Sequence, residues 1–214
     1  METPPGYFLV KRIFDLSVAL LVIAGVLSWL LPLLALLIKL DSKGPVFFVQ
    51  RRMGRYSQPF RCYKLRSMVN GRITRLGGWL RHTHLDELPQ FFNVLLGSMS
   101  VVGPRPYMPA DCRSFEKIVP DGGFRHQVRP GITGLAQSRG LHDVYCDRAV
   151  ILQRYRCDSY YVRNAGILLD LRILSRTFFN LLPHLHRWAS SGGASYSSDH
   201  ISVLRLEKRK APMR

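Results

Sequence analysis

Leu16-Ser17-Val18-Ala19-Leu20-Leu21-Val22-Ile23-Ala24-Gly25-Val26-Leu27-Ser28-Trp29-Leu30-Leu31-Pro32-Leu33-Leu34-Ala35-Leu36-Leu37-Ile38 is a run of 23 residues without a charge, flanked by Asp15 and Lys39. A helix needs roughly 20 apolar residues to cross a bilayer core, so this length predicts membrane insertion. The run is too long for the core of a secretory signal. Lys39-Leu40-Asp41 follows it, where a signal peptide carries small residues for cleavage. Pro32 lies inside the run and lacks the N–H that would bond the carbonyl of Ser28 one turn earlier. The uninterrupted part, residues 16–31, rises only ~24 Å as a helix, short of a ~30 Å hydrocarbon core. Lys11 and Arg12 precede the run, while Lys39, Lys43, Arg51, Arg52 and Arg55 follow it. Positive charge on both flanks suits a re-entrant membrane helix broken at Pro32, with both ends cytoplasmic. A kinked single span is the other reading.

The rest of the 214 residues suffices for one domain. Lys and Arg number 31 against 14 Asp and Glu, a net charge of +17, and most of that excess lies before residue 181. Such a balance favours polyanions: nucleic acid, anionic lipid headgroups or phosphorylated substrates. Cys62, Cys112, Cys146 and Cys157 are scattered and form no Cys-x-x-Cys, which argues against a zinc site or a disulfide framework and for a reducing compartment. Phosphate-binding Gly-rich loops, a Gly-x-Gly-x-x-Gly fingerprint, His-Glu-x-x-His and Gly-x-Ser-x-Gly are all missing from the sequence.

After the apolar run, residues 41–45 read as a turn. Residues 46–49 and 60–65 read as two short strands joined by the turn-rich stretch 54–59. Residues 88–95 and 149–162 are helical candidates. Between them, Gly103-Pro104-Arg105-Pro106 and Arg129-Pro130-Gly131-Ile132-Thr133-Gly134 read as ordered loops. Ile167, Leu168, Leu171, Leu174, Phe178, Leu181 and Leu182 recur at helical spacing with Arg172 and Arg176 on the other side. Such a helix either packs on a core or lies in a membrane interface. The predicted class is α+β, mainly helical. Its parts are an N-terminal membrane helix at 1–40, a small domain with a β-hairpin and amphipathic helices at 41–188, which the family resemblance given below makes cytoplasmic, catalytic and interfacial, and a basic disordered tail at 189–214.

Chemistry concentrates in His82-Thr83-His84-Leu85-Asp86-Glu87-Leu88-Pro89-Gln90. On pattern alone Asp86 caps the following helix, Glu87 favours its positive end and Pro89 fits its first turn. Two adjacent carboxylates among basic loops can also divide labour, one as nucleophile and one holding a divalent cation. Basic segments around Arg51-Arg52, Lys64-Leu65-Arg66, Arg81 and Arg105 offer phosphate contacts, and the prolines flanking Arg105 limit the entropy lost when it binds.

These pieces resemble, in order, the bacterial sugar transferases, monotopic phosphoglycosyl transferases that load a sugar phosphate onto polyprenyl phosphate. The matching pieces begin with Lys11-Arg12-Ile13-Phe14-Asp15, Gly44-Pro45-Val46-Phe47-Phe48 and Tyr63-Lys64-Leu65-Arg66-Ser67-Met68. They continue with Leu85-Asp86-Glu87-Leu88-Pro89-Gln90, Val102-Gly103-Pro104-Arg105-Pro106, Arg129-Pro130-Gly131-Ile132-Thr133-Gly134-Leu135-Ala136-Gln137 and Leu169-Asp170-Leu171, so that the likeness covers about residues 11–180. The resemblance implies a re-entrant helix broken at its proline, Asp86 as nucleophile, and Glu87 with Asp86 at a Mg²⁺ ion. It also implies a phosphate region drawn from Lys64, Arg66, Arg81, Arg105, Arg129 and Gln137. Its partners would be a nucleoside diphosphate-sugar, polyprenyl phosphate and membrane lipid, with no nucleic acid, at the cytoplasmic face of the bacterial inner membrane. Three positions depart from the family's pattern: Leu31 stands where a serine often precedes the proline, residues 69–80 form a short connection, and His84 stands where serine is common. The alternative is a non-catalytic basic membrane protein that binds anionic lipid or nucleic acid and leaves Asp86 and Glu87 idle.

Overall fold

The computed structural model describes residues 6–119, 122–141 and 148–190, with the backbone alone at 114 and 181–190. Cys146 and the expected tail from residue 191 lie outside the described residues. The apolar run is helical as predicted: α1 (Tyr7–Val22), one wide π-turn (Ile23–Leu27) and α2 (Ser28–Asp41) follow one another without interruption. Pro32, where the sequence reading set a break, sits inside α2, and the helical hydrogen-bonded segment runs through it. The irregularity lies upstream, where the N–H of Ser28 reaches the carbonyl of Ile23. A wide turn leaves carbonyls poorly paired, and here Ser28 Oγ donates to the Ala24 carbonyl at 2.6 Å and Trp29 Nε1 to the Gly25 carbonyl at 3.0 Å.

Both ends of this helix are packed on the same body. At the first end, Lys11 Nζ lies 3.0 Å from both Asp15 Oδ1 and Asp170 Oδ2, with all three side chains buried. Asp15 also accepts from Ser100 Oγ and the Val101 N–H, while Asp170 accepts from the Tyr161 hydroxyl at 2.8 Å. Arg12 donates to the carbonyls of Val94 and Leu95. At the far end, Arg66 donates to the carbonyls of Ile38, Ser42 and Lys43, and Leu34 and Ile38 pack with Leu65 and Leu80. Gly44, at φ +127, lies against this guanidinium, and a Cβ there would collide with it.

The remaining elements hold loops rather than build a large sheet. Strands β1 (Phe47–Met53) and β2 (Pro59–Leu65) pair antiparallel, with Phe47 opposite Leu65. β1 runs four residues further than the sequence reading, because Gln50 to Met53 pair with Cys62 to Pro59. A second small hairpin, β3 (Met68–Val69) with β4 (Arg72–Ile73), precedes α3 (Arg75–His82). Next come α4 (Gln90–Leu95), β5 (Ser100–Val102), α5 (Pro109–Ile118) and β6 (Gly131–Thr133). β5 and β6 pair in parallel, a pairing that no sequence pattern announces. Their contact explains the glycines of the two Pro/Gly-rich loops: a Cβ on Gly103, Gly131 or Gly134 would fall inside 2.5 Å of facing backbone.

Helices α6 (Arg148–Arg163) and α7 (Ile167–Ser190) close the body. α7 divides its faces. Asp170 and Ile173 are buried with Leu174 and Thr177 beside them, while Leu168, Leu171, Phe178 and Phe179 are exposed next to Arg172 and Arg176. Both sequence readings of this helix thus find a face, one packed on the core and one apolar face open. Cys62, Cys112 and Cys157 are free thiols, and no cluster of three or more metal-ligating side chains occurs among the described residues.

The Lys11 ammonium is the cation that balances two buried carboxylates, so its loss strands charge in the core. Lys11→Met is expected to destabilise the fold by about 3–5 kcal/mol, measured by denaturant or thermal unfolding. Asp170→Asn, which keeps the shape and removes one of the two charges, should cost clearly less.

Candidate active site

Two turns of chain bring the carboxylates into place. Helix α3 ends at Thr83, whose hydroxyl donates back to the carbonyl of Trp79 at 2.8 Å. His84 then takes a left-handed conformation at φ +58, and Leu85–Glu87 forms a single 3₁₀ turn before Pro89 and α4. Asp86 makes no capping bond and α4 has no side-chain cap, so the reading of Asp86 as a helix cap is corrected. Leu85 packs into the cluster of Leu34, Ile38 and Leu80, which sets the turn directly beside α2.

Glu87 is the fixed member of the pair. Its Oε1 accepts from Lys64 Nζ at 2.6 Å and from Arg105 Nη2 at 3.3 Å. Each cation arrives on a braced support. Asn93, almost wholly buried on α4, accepts from the Tyr63 N–H and donates to the Arg61 carbonyl, so it grips β2 on either side of Cys62 and sets Lys64 beside it. The Arg105 loop is held by three successive carbonyls. Pro104 accepts from the Gly131 N–H, Arg105 from the Arg125 guanidinium and Pro106 from Arg52. Arg125 is itself fixed by a buried ion pair with Asp158 at 3.1 Å and by stacking 3.6 Å from the Tyr107 ring. Burial pushes the Glu87 carboxyl up, but Arg105 and then Lys64 outweigh it and hold it well below the usual carboxylate range.

Asp86 sits in the opposite balance. It is buried, and it accepts no hydrogen bond among the described residues. Burial first, and the neighbouring Glu87 charge second, push its carboxyl up to about 6, against the pull of Lys64, Arg81 and Arg105. A carboxylate with this basicity and without hydrogen bonds is a better nucleophile than an ordinary aspartate, and it is ionised at neutral pH. Arg81 flanks it with Nε on Ser67 Oγ at 2.8 Å and Nη2 near Met68 Sδ.

The predicted phosphate set divides. Lys64, Arg81 and Arg105 surround the carboxylates. Arg66 is instead committed to the backbone at the end of α2, as described above. Gln137 donates to the Ile132 carbonyl, which fixes the loop after β6. Arg129 donates through Nε to the Gly97 carbonyl and lies with Arg12 and Arg55, not with Glu87. Sequence reasoning missed Asn93, Arg52 and Arg125–Asp158 as the braces of Lys64 and Arg105. Composition carries no signal for them, because each is defined by a partner far along the chain.

Comparisons with known proteins identify the family. A family model described as bacterial sugar transferase matches residues 6–184. The chain is 46% identical to an exopolysaccharide production protein PSS of Rhizobium leguminosarum bv. phaseoli, with 78% of this chain and 92% of that protein covered. It is 38% identical to the UDP-N-acetylgalactosamine-undecaprenyl-phosphate N-acetylgalactosaminephosphotransferase of Aeromonas hydrophila, covering 83% of this chain and 45% of that one. It is 39% identical to the UDP-glucose:undecaprenyl-phosphate glucose-1-phosphate transferase of Klebsiella pneumoniae, covering 79% and 39%. The chain thus spans nearly all of the first relative and less than half the length of the other two. It belongs to the bacterial sugar transferase family.

The raised Asp86 carboxyl has a signed consequence for stability. Its folded value of about 6 lies above the ordinary 3.8, so the folded state holds the proton more tightly between those values and loses stability as pH rises through them. Asp86→Asn is therefore expected to be more stable than the parent at pH 7.5, on the order of 2 kcal/mol, with the difference vanishing near pH 4 in thermal unfolding. Glu87→Gln should lower the Asp86 value, read by carboxyl-carbon NMR, because it removes the adjacent negative charge.

Proposed function

We propose that this member of the bacterial sugar transferase family transfers a sugar 1-phosphate from a nucleoside diphosphate-sugar to polyprenyl phosphate through a covalent aspartyl-phosphosugar. The observation that carries the reading is the unequal pair: Glu87 ionised between two cations, and Asp86 beside it, more basic and without hydrogen bonds. The undecaprenyl-phosphate transferases of Aeromonas hydrophila and Klebsiella pneumoniae support the choice of donor and acceptor by their names. The Rhizobium relative supports a role in making exopolysaccharide.

In the first half-reaction an Asp86 oxygen bonds to the phosphorus that bears the sugar, and the anhydride bond to the nucleoside monophosphate breaks. In the second, an oxygen of polyprenyl phosphate bonds to the same phosphorus and the acyl–phosphate bond breaks, which restores the carboxylate. Arg105 and Arg81 stand where negative charge builds on the phosphoryl oxygens, and Lys64 shares its charge between Glu87 and the donor. The two carboxylates fit a Mg²⁺ ion, which takes one or two carboxylates and completes its shell with substrate phosphates. Asp86 and the second oxygen of Glu87 would hold it, and when bound it would neutralise the diphosphate so that an anionic nucleophile can approach.

The membrane reading follows from exposure. Seven large apolar side chains between residues 16 and 38, from Leu20 to Leu37, stand exposed on α1, the π-turn and α2. At roughly 1.5–3 kcal/mol for each such side chain removed from water, their transfer to hydrocarbon is worth on the order of 10 kcal/mol. Both helix ends grip one body, which supports a re-entrant rather than a spanning segment, with the catalytic domain cytoplasmic. The open face of α7, Leu168, Leu171 and Phe178 beside Arg172 and Arg176, fits the lipid interface. Leu85 against α2 then sets Asp86 at headgroup depth, where a soluble donor and a lipid acceptor meet.

Two measurements test this. Purified protein given Mg²⁺ and a nucleotide-sugar labelled at the sugar-linked phosphate should acquire a covalent label and release nucleoside monophosphate. Asp86→Asn should acquire none and lose turnover by at least a thousand-fold, whereas an idle pair would leave both variants alike. For topology, cysteines placed by Gly6→Cys and Leu40→Cys should both resist a membrane-impermeant thiol reagent in intact cells, and labelling of either one identifies a span.

A further inference from the structure

Arg12, Arg55 and Arg129 converge where α1 leaves the body, away from the carboxylates. Arg129 Nε is 2.9 Å from the Gly97 carbonyl, and Arg12 Nη2 lies against the same glycine. Arg55 Nε donates to the Gln127 carbonyl, two residues before Arg129, and its guanidinium stacks on Phe8 at 5.1 Å and Tyr56 at 4.5 Å. Arg55 and Arg129 line one shallow cleft together with Lys11 and Tyr7. Asp15 is the carboxylate of that cleft, and it is already occupied by Lys11 and by Ser100. None of the three arginines forms an ion pair with a described residue.

Three like charges tied to backbone carbonyls, with no ion-pair partner among the described residues, are arranged for an anion. Burial and then the charges of Arg12 and Arg55 disfavour the Arg129 cation, and Asp15 offsets this only in part, so an anion placed there gains from all three arginines. The rim identifies the kind of anion. Leu9 and Ile13 on α1, Leu96 after α4 and Tyr56 are each more than half exposed around the cluster. Guanidinium groups ringed by exposed apolar side chains fit the boundary between headgroups and acyl chains. We propose that Arg12, Arg55 and Arg129 form a second anion site, separate from the catalytic pair, which holds the phosphate of a membrane lipid headgroup where α1 enters the bilayer. The proposal rests on the membrane reading above and not on the transfer chemistry.

The test uses the full-length protein in a non-ionic detergent. It is titrated with phosphatidylglycerol, with diacylglycerol of the same chains and with inorganic phosphate, and adducts are counted by native mass spectrometry. One phosphatidylglycerol should be retained, diacylglycerol should not be, and inorganic phosphate should bind at least ten-fold more weakly. Arg55→Gln with Arg129→Gln should lose the lipid adduct at least five-fold, and the two Lys variants should keep most of it. Arg55→Gln alone, which leaves the bond from Arg129 to Gly97 in place, should lose part of it at an unchanged melting temperature. Asp86→Asn should retain the adduct fully, so failure of the transfer mechanism and failure of this site are told apart. The site is overturned if the double Gln variant holds the lipid as the parent does, or if inorganic phosphate binds as tightly as the lipid. Displacement of the lipid by nucleotide-sugar would likewise overturn it, by making the cluster part of the donor site.

Discussion

The Glu87 carboxylate, sealed between Lys64 and Arg105, is the interaction on which the catalytic side of the molecule depends. A buried charge must be paired, and a pair gains little over an apolar substitute unless its geometry is well fixed. Here the fixing is extensive. Lys64 comes from a strand gripped by Asn93, and Arg105 from a loop whose three carbonyls are held by Gly131, Arg125 and Arg52. The ion pair therefore joins hairpin, 3₁₀ turn and Pro-rich loop at one point. With both cations drawn to Glu87, Asp86 is left buried beside a permanent negative charge, and its raised basicity is a direct consequence. One carboxylate is spent on architecture, and the other is thereby left more basic.

The same physics anchors the apolar helix. Lys11 plays for Asp15 and Asp170 the part that Lys64 and Arg105 play for Glu87, with the signs exchanged. At the other end Arg66 closes the C-terminus of α2, where carbonyls without helical partners point out of the last turn. Lys11 and Arg12 tie the first end to the body and Arg66 reaches from the body to the other, so the position of the helix and the position of Asp86 are mechanically linked through Leu85, Leu34 and Ile38.

What the sequence made legible was local. The charge-free run was readable as a helix because its signal lies within 23 consecutive residues, and the hairpin because turn formers separate two β-prone stretches. Asp86 and Glu87 stood out because acids are few and these two are adjacent. Arg66 and Gln137, expected at phosphate, are bonded to backbone carbonyls: a polar side chain near a motif can serve a backbone carbonyl as well as a phosphate, and the spacing is the same in both cases. Arg129 is an intermediate case, expected to bind phosphate and found beside other arginines at a different place. The parallel pairing of β5 with β6 and the ion pair from Arg125 to Asp158 link positions some thirty residues apart, and three-residue strands carry no periodicity from which pairing can be read.

The place of Pro32 inside a continuous helix bears on the membrane reading. Within hydrocarbon an unpaired carbonyl costs several kcal/mol, so a proline cannot simply open a helix there. Its missing N–H has to be accommodated by the turn before it. In this chain Leu31 replaces the serine expected next to Pro32 and has no hydroxyl to offer. The donors appear one turn earlier, where Ser28 Oγ and Trp29 Nε1 reach Ala24 and Gly25, and there the helix widens. The π-turn one turn before Pro32 thus coincides with the two side chains that can satisfy its carbonyls. Side-chain donors and the proline together mark where this helix departs from α geometry.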